Sequence, residues 1–219
     1  MGYEVYNRVF ATAYALLGTS ALVVVASAPF LAVLLFTPVA VTWPLLVLTA
    51  PFLGPAVAAA HAVFEAGASD VLRGFARGWR SHGRRAALVA GAAAGVVVVL
   101  AVDARAAWGT PVGAVALPVL AVLGLLTVVT ALVTLTGLVE RPDVPVARLA
   151  RACLFLALRR AHFSAVSLLV LWVLAAAVGA LPVPALALLT GPALYVVWVG
   201  SRATLRPVRA VEEPEPAAG

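Results

Sequence analysis

The sequence predicts an all-α protein, a polytopic transmembrane bundle of about six helical spans with basic amphipathic helices on its cytoplasmic side. Three observations predict it. First, of 219 residues, 64% are hydrophobic and 11% charged, where a soluble domain carries about 25% charged residues. With a mean hydropathy of +1.09, lipid has to be the solvent for much of the exterior. Second, apolar runs of bilayer-crossing length recur along the chain, separated by short polar or basic segments. Third, the basic residues are all arginine, with no lysine, and they fall on one side of the resulting topology.

Each span needs roughly 17–25 residues to cross about 30 Å of hydrocarbon. The first is expected at 14–36. Ala26-Ser27-Ala28 has the small residues of a leader cleavage site, but Pro29 follows directly and the apolar run continues through Phe36, so the stretch reads as a retained anchor. Thr37, Pro38, Thr42, Trp43 and Pro44 then make a short turn, and the second span follows at 45–64. A basic segment from Glu65 to Arg85 leads into the third, at 86–102. Asp103 to Thr110 is a short loop with Trp108 suited to an interface, and the fourth span is 112–139. A second basic segment, Glu140 to His162, precedes the fifth span at 163–181. Pro182-Val183-Pro184 turns the chain into a short sixth span at 185–200, and the Pro/Glu-rich tail, 202–219, is expected to be disordered. With both termini inside, 14 of the 15 arginines lie in cytoplasmic segments and Arg105 alone lies outside. A bacterial plasma membrane is the expected location.

A shift of 75 residues lays Val71, Arg73, Arg84, Arg85 and Ala86 on Val146, Arg148, Arg159, Arg160 and Ala161. It also lays span two on span four and span three on span five, the pattern of a parallel internal repeat.

Few polar features suggest chemistry. Arg73, Arg77, Arg80 and Arg84 recur at spacings of four, three and four, one stripe on a helix, with Val71, Phe75 and Trp79 opposite. That is the pattern of a helix lying in the interface, its aromatics in the acyl boundary and its guanidiniums on phosphates or on a partner; plain topology anchoring is the blander reading. Gly74, Gly78 and Gly83 each weaken such a helix by about 1 kcal/mol. Tyr3, Tyr6, Phe10 and Tyr14 make a similar aromatic stripe before span one. His61 is the one ionisable side chain well inside a span, four residues before Glu65 and on the same helical face. It is a candidate for a proton relay or substrate contact, or else snorkels towards the headgroups. Thr127, Thr130 and Thr134 share a face of span four between Gly124 and Gly137, suited either to lining a path for a neutral hydroxylated solute or to bonding back to carbonyls one turn earlier. Gly91 and Gly95 fit the GxxxG packing pattern, and Pro29, Pro51, Pro55, Pro118 and Pro192 interrupt spans.

The chain carries no phosphate-binding loop, no HExxH, no GxSxG and no carboxylate pair inside a span. Its single cysteine, Cys153, excludes an intrachain disulfide and a cysteine-based metal site. No catalytic, metal-ligating or cofactor-binding residue is expected, and the protein is not expected to be an enzyme. The basic balance is matched by the anionic inner membrane surface, so lipids rather than nucleic acid are the expected partner.

Pro29, then Gly54-Pro55-Ala56, then Asp70 leading into Phe75, Arg77, Trp79 and Arg80 resemble the layout of the YesL-like family of small bacterial membrane proteins, a domain of unknown function. The likeness covers most of the chain, although the first span here is alanine- and valine-rich where that family tends to carry aromatics and asparagine. The resemblance implies a setting and no mechanism: such proteins tend to be encoded beside sugar-binding lipoproteins, ABC sugar permeases and glycoside hydrolases. The expectation is a non-catalytic accessory component of carbohydrate uptake, with ABC permease subunits as partners. The alternatives are a stand-alone carrier for a small neutral solute and a lipid-binding structural protein.

Overall fold

The computed structural model describes residues 2–67 and 70–210, without the side chains of 2–11, 39, 40, 161 and 206–210. Helices α1 (Gly2–Ala26), α2 (Ala28–Phe36), α3 (Val39–Thr49), α4 (Leu53–Ala66), α5 (Val71–Ala107), α6 (Gly113–Glu140), α7 (Val146–Arg159), α8 (Ala161–Ala180) and α9 (Pro182–Ala210) follow one another, and a 3₁₀ turn, Ala50–Phe52, joins α3 to α4. Five helical segments are long and apolar enough to cross a membrane, six if the bent α1–α2 pair counts as one. This is the all-helical, multi-pass organisation the composition requires.

Several boundaries differ from the sequence expectation. Residues 14–36 are not one straight span: the chain bends by 73° between Ala26 and Ala28. Pro29, in the first turn of α2, has no N–H to give to the residue four earlier, and its ring clashes with that carbonyl, so the α1 ladder cannot continue through it. The turn expected at 37–44 shrinks to Thr37 and Pro38, because Pro44 is accommodated inside α3. The first basic segment and span three are a single 37-residue helix, about 55 Å long at 1.5 Å per residue. Asp70 starts it: its carboxylate accepts from Arg73 N at 3.1 Å as the N-cap. Upstream, Gly67 ends α4 in the left-handed conformation, φ +55°, which a side chain would strain. Pro182 opens α9 rather than sitting in a turn, as a proline can in a first helical turn. Helix α9 then runs on through Ala210, so the expected disordered tail is helical over 202–210, and 211–219 lie outside the described residues.

Helix α4 is the hub, packed against α1, α5, α6 and α9. Its residues Ala56, Ala58, Ala59 and Ala60 are wholly buried, and small side chains are what allow helices to approach closely where lipid removes the hydrophobic drive between them. Gly54 is the extreme case: a Cβ there would lie 2.7 Å from the Ala86 carbonyl carbon and 2.8 Å from Ala90 Cβ. Gly191 repeats the arrangement on α9, where a Cβ would lie 2.9 Å from the carbonyl carbon of Leu16 on α1. There the Gly191 N–H donates to Ser20 Oγ at 2.7 Å, and Ser20 Oγ donates to the Leu16 carbonyl at 3.2 Å. Of the Gly91/Gly95 pair only Gly91 meets a neighbour, Pro51 at 3.5 Å, while Gly95 faces open space. The outward faces of α6 and α8 are apolar and exposed, Val115, Val122, Leu169 and Trp172 among them.

Helix boundaries follow the 75-residue shift in part: α5 begins at Val71 and α7 at Val146, 75 apart, whereas α4 ends at Ala66 and α6 at Glu140, 74 apart. On that shift the hairpin α4–α5 would correspond to α6 with α7–α8, which is broken at Arg160, whose backbone (φ −118°, ψ 46°) leaves the helix.

Candidate functional site

The ends of α4, α6 and α9 meet at the end of the bundle that carries most of the arginines, called the basic end below. Arg202 on α9 joins them: its Nη2 is 3.3 Å from Glu65 Oε1 on α4, and its Nε is 3.0 Å from Glu140 Oε1 on α6. The Glu140 side chain is only 3% exposed, whereas Arg202 and Glu65 are about one-third exposed, at 30% and 32%. The guanidinium also lies 4.8 Å over the Trp198 ring, one turn earlier on its own helix, where the ring quadrupole favours a cation. Trp198 belongs to an aromatic cluster with Phe64 and Tyr195.

One turn further into the bundle, His61 on α4 faces Thr136 on α6. Both are fully buried, and His61 Nδ1 lies 3.2 Å from Thr136 Oγ1. Thr136 Oγ1 donates its one proton to the Leu132 carbonyl at 3.2 Å, so towards His61 it can only accept. With the Thr136 proton on the Leu132 carbonyl, His61 Nδ1–H is the donor to Thr136 Oγ1; His61 Nε2 has no partner among the described residues. The snorkelling reading of His61 is excluded, because the side chain reaches no surface. His61 and Glu65 do share one face of α4, but each is bonded across to a different helix.

Thr136, Glu140 and Arg202 complete this column and were missed in reading the sequence. The signal for two of them was present: adding 75 to His61 and Glu65 gives Thr136 and Glu140. The column is thus two corresponding pairs facing each other, capped by one arginine from outside the repeat.

Threonines of span four bond back along their own helix. Thr127 Oγ1 donates to the Leu123 carbonyl at 2.8 Å, and Thr134 Oγ1 to the Thr130 carbonyl at 2.6 Å. Thr134 is fully buried beneath α7, and Thr130 Oγ1 is buried without a partner among the described residues. On α7, burial pushes the Cys153 thiol up to about 11, and the Glu140 charge adds to the shift.

The basic stripe is placed differently from expectation. Arg73, Arg77, Arg80 and Arg84 all project outward and exposed, Arg73 paired with Asp70 at 3.2 Å. The apolar side is not in an acyl boundary: Val71 (5% exposed) and Phe75 (6%) are packed into the cluster formed by α4 and α1. Trp79 stacks on Phe75 at 6.3 Å and is half-buried against the same cluster. Gly78 makes this docking close, since a Cβ there would stand 2.8 Å from Ala62 Cβ. Phe75 and Trp79 hold the helix to the bundle, and the four arginines stand on its exposed side. Of the N-terminal aromatic stripe, Tyr14 is exposed, and the side chains of Tyr3, Tyr6 and Phe10 lie outside the described residues.

Two other arginines of the basic end are structural ties. Arg85 donates from both Nη atoms to the carbonyls of Pro142 and Val144 in the α6–α7 loop, and Arg160 donates to the Ala203 carbonyl of α9 at 2.7 Å. No family model, curated protein or solved structure matches this chain.

Proposed function

We propose that this protein is a non-catalytic membrane component that docks a partner on its cytoplasmic side through Arg73, Arg77, Arg80 and Arg84. The carrying observation is that these four side chains are exposed on one face of α5 whose other face, Val71, Phe75 and Gly78, is locked into the bundle. The helix backbone beneath these guanidiniums is already ordered, so binding costs side-chain freedom only, and guanidiniums pair bidentately with the carboxylates of an acidic protein surface. The positive-inside rule supports placing the basic end in the cytoplasm of a bacterial plasma-membrane protein. The link to carbohydrate import, with ABC permease subunits as the partner, rests on the resemblance to the YesL-like family. The back-bonded threonines weigh against the carrier alternative, since they leave the solute path without its hydroxyls.

The test is a mild-detergent pull-down of the tagged protein from its native membrane, with mass spectrometry of what co-purifies, for wild type and for R77E/R80E. Recovery of permease subunits near stoichiometry with wild type, and their loss in the charge-reversed variant at unchanged topology, is the expected outcome. Equal recovery with both forms overturns the docking role. Purification of the chain alone, with solute flux in proteoliposomes holding only this protein, establishes the carrier instead.

A further inference from the structure

Where α6 ends, the α6–α7 loop and α7 enclose a cavity of about 380 Å³ against α9. This lies within the range of small-ligand sites, roughly 300–1,000 Å³. Its floor is apolar and buried: Leu149, Cys153 and Leu205 are 5%, 0% and 8% exposed. Four charged residues also line it, two of each sign: Glu140, which Arg202 holds, Arg141, and at the rim Asp143 and Arg148, the last two exposed and, among the described residues, in no ion pair. The mouth is a built feature. Arg85 holds the loop through the carbonyls of Pro142 and Val144, and Pro142 and Pro145 restrict the backbone between them.

The place and the lining select the ligand. Helix α6 is an apolar span up to Glu140, so the rim stands at the depth of lipid headgroups. A leucine floor has nothing to offer the hydroxyls of a free sugar. A purely anionic headgroup would meet Asp143 on the same rim as Arg148, and like charge there disfavours it. A group carrying both signs satisfies both side chains. We propose that this cavity binds a phospholipid with a zwitterionic headgroup, its phosphate on Arg148 and its primary ammonium on Asp143. The site is separate from the arginine face of α5 and does not depend on a docking role for it.

The test is native mass spectrometry of the delipidated protein in detergent, titrated with phosphatidylethanolamine or phosphatidylglycerol. One phosphatidylethanolamine per chain is expected, with phosphatidylglycerol about tenfold weaker, the effect of one charge-assisted contact. R148A should weaken both lipids about tenfold, D143A should remove the preference between them, and A152W, which fills the cavity from an exposed position, should abolish binding. Thermal unfolding in the same detergent separates a lost site from a lost fold; Asp143 and Arg148 are exposed, so those two variants decide the matter even if A152W does not fold. Equal retention of the two lipids, or retention unchanged in R148A and D143A, overturns the proposal. Displacement of the lipid by millimolar glycerophosphoethanolamine overturns the lipid assignment in favour of a soluble ligand of the same headgroup chemistry.

Discussion

Gly54→Ala tests whether close helix approach holds this bundle together. In isolation the change should help, since alanine exceeds glycine in a helix interior by about 1 kcal/mol. Here the added methyl would sit 2.7 Å from the Ala86 carbonyl carbon and 2.8 Å from Ala90 Cβ. Carbon atoms in favourable contact stand about 3.5–4.0 Å apart, so α4 and α5 must separate by roughly 0.8 Å at this level. A gap of that size forfeits a quarter to a half of each dispersion contact along the seam. Gly78, with Ala62 Cβ 2.8 Å from where its own Cβ would be, lies further along the same seam, so the separation is felt there as well. Overpacking a rigid site costs about 1–3 kcal/mol; the obstruction here is backbone, which places the cost at the upper end and leaves a net loss of about 2 kcal/mol after the propensity gain. The assay is unfolding by SDS in mixed micelles, followed by tryptophan fluorescence, beside Gly95→Ala and Gly124→Ala, where a Cβ meets nothing within 4 Å. Those two should be neutral or slightly stabilising. A Gly54→Ala midpoint equal to theirs would refute the packing argument.

Two further outcomes follow from the polar groups. In a double-mutant cycle of His61→Leu and Thr136→Val, the same unfolding assay should give a coupling of about 0.6–1.7 kcal/mol, the range for hydrogen bonds between membrane helices; zero coupling would mean that the 3.2 Å contact is incidental. Cys153, outside the membrane-crossing helices, has its thiol pushed up to about 11 by burial. Thiolate is the reactive form, so maleimide labelling of the native protein should be slow at neutral pH and rise about tenfold per pH unit through pH 10. A rate that levels off near pH 9, where an unperturbed thiol titrates, would show that Cys153 is not desolvated.

Hydrophobic run length and arginine distribution made the helical, multi-pass character legible, because lipid admits few other solutions for such a chain. Run length places α6 and α8 within a few residues, since each is a plain apolar segment between clear breaks. It fails on α5, where the amphipathic half and the apolar half are one helix: periodicity reports which side of a helix is apolar, not what covers that side. Phe75 and Trp79 meet α4 instead of lipid for this reason. It fails again at Ser27, where hydropathy is continuous and only Pro29 marks the bend. The polar column was half legible. His61 is conspicuous as an ionisable group in a span, but Thr136 and Arg202 become meaningful only when three helices are brought to one level. Glu140, at the end of its span, resembles any interfacial acid until its side chain is seen to be 3% exposed.

Taken as a repeat, the 75-residue shift orders the arginines of the basic end. Arg85 and Arg160 stand 75 residues apart at corresponding places. In the first copy α5 stays intact, and Arg85 reaches sideways to the loop of the second copy. In the second copy the helix breaks at Arg160, and its guanidinium reaches the Ala203 carbonyl of α9. The same position thus ties copy one to copy two and copy two to α9, and Arg202 closes the set by joining α9 to Glu65 and Glu140, themselves a corresponding pair. Guanidiniums held by carbonyls or carboxylates of neighbouring helices are committed to the fold, and removing one would leave its partners short of a donor. Arg73, Arg77, Arg80 and Arg84 project from the far side of α5 and brace no other helix among the described residues. The positive-inside rule accounts for a cluster of arginines at this end without distinguishing among them. Their partners make the distinction: the row on α5 is exposed and braces no other helix, as Arg148 on α7 also stands exposed and outside any ion pair among the described residues.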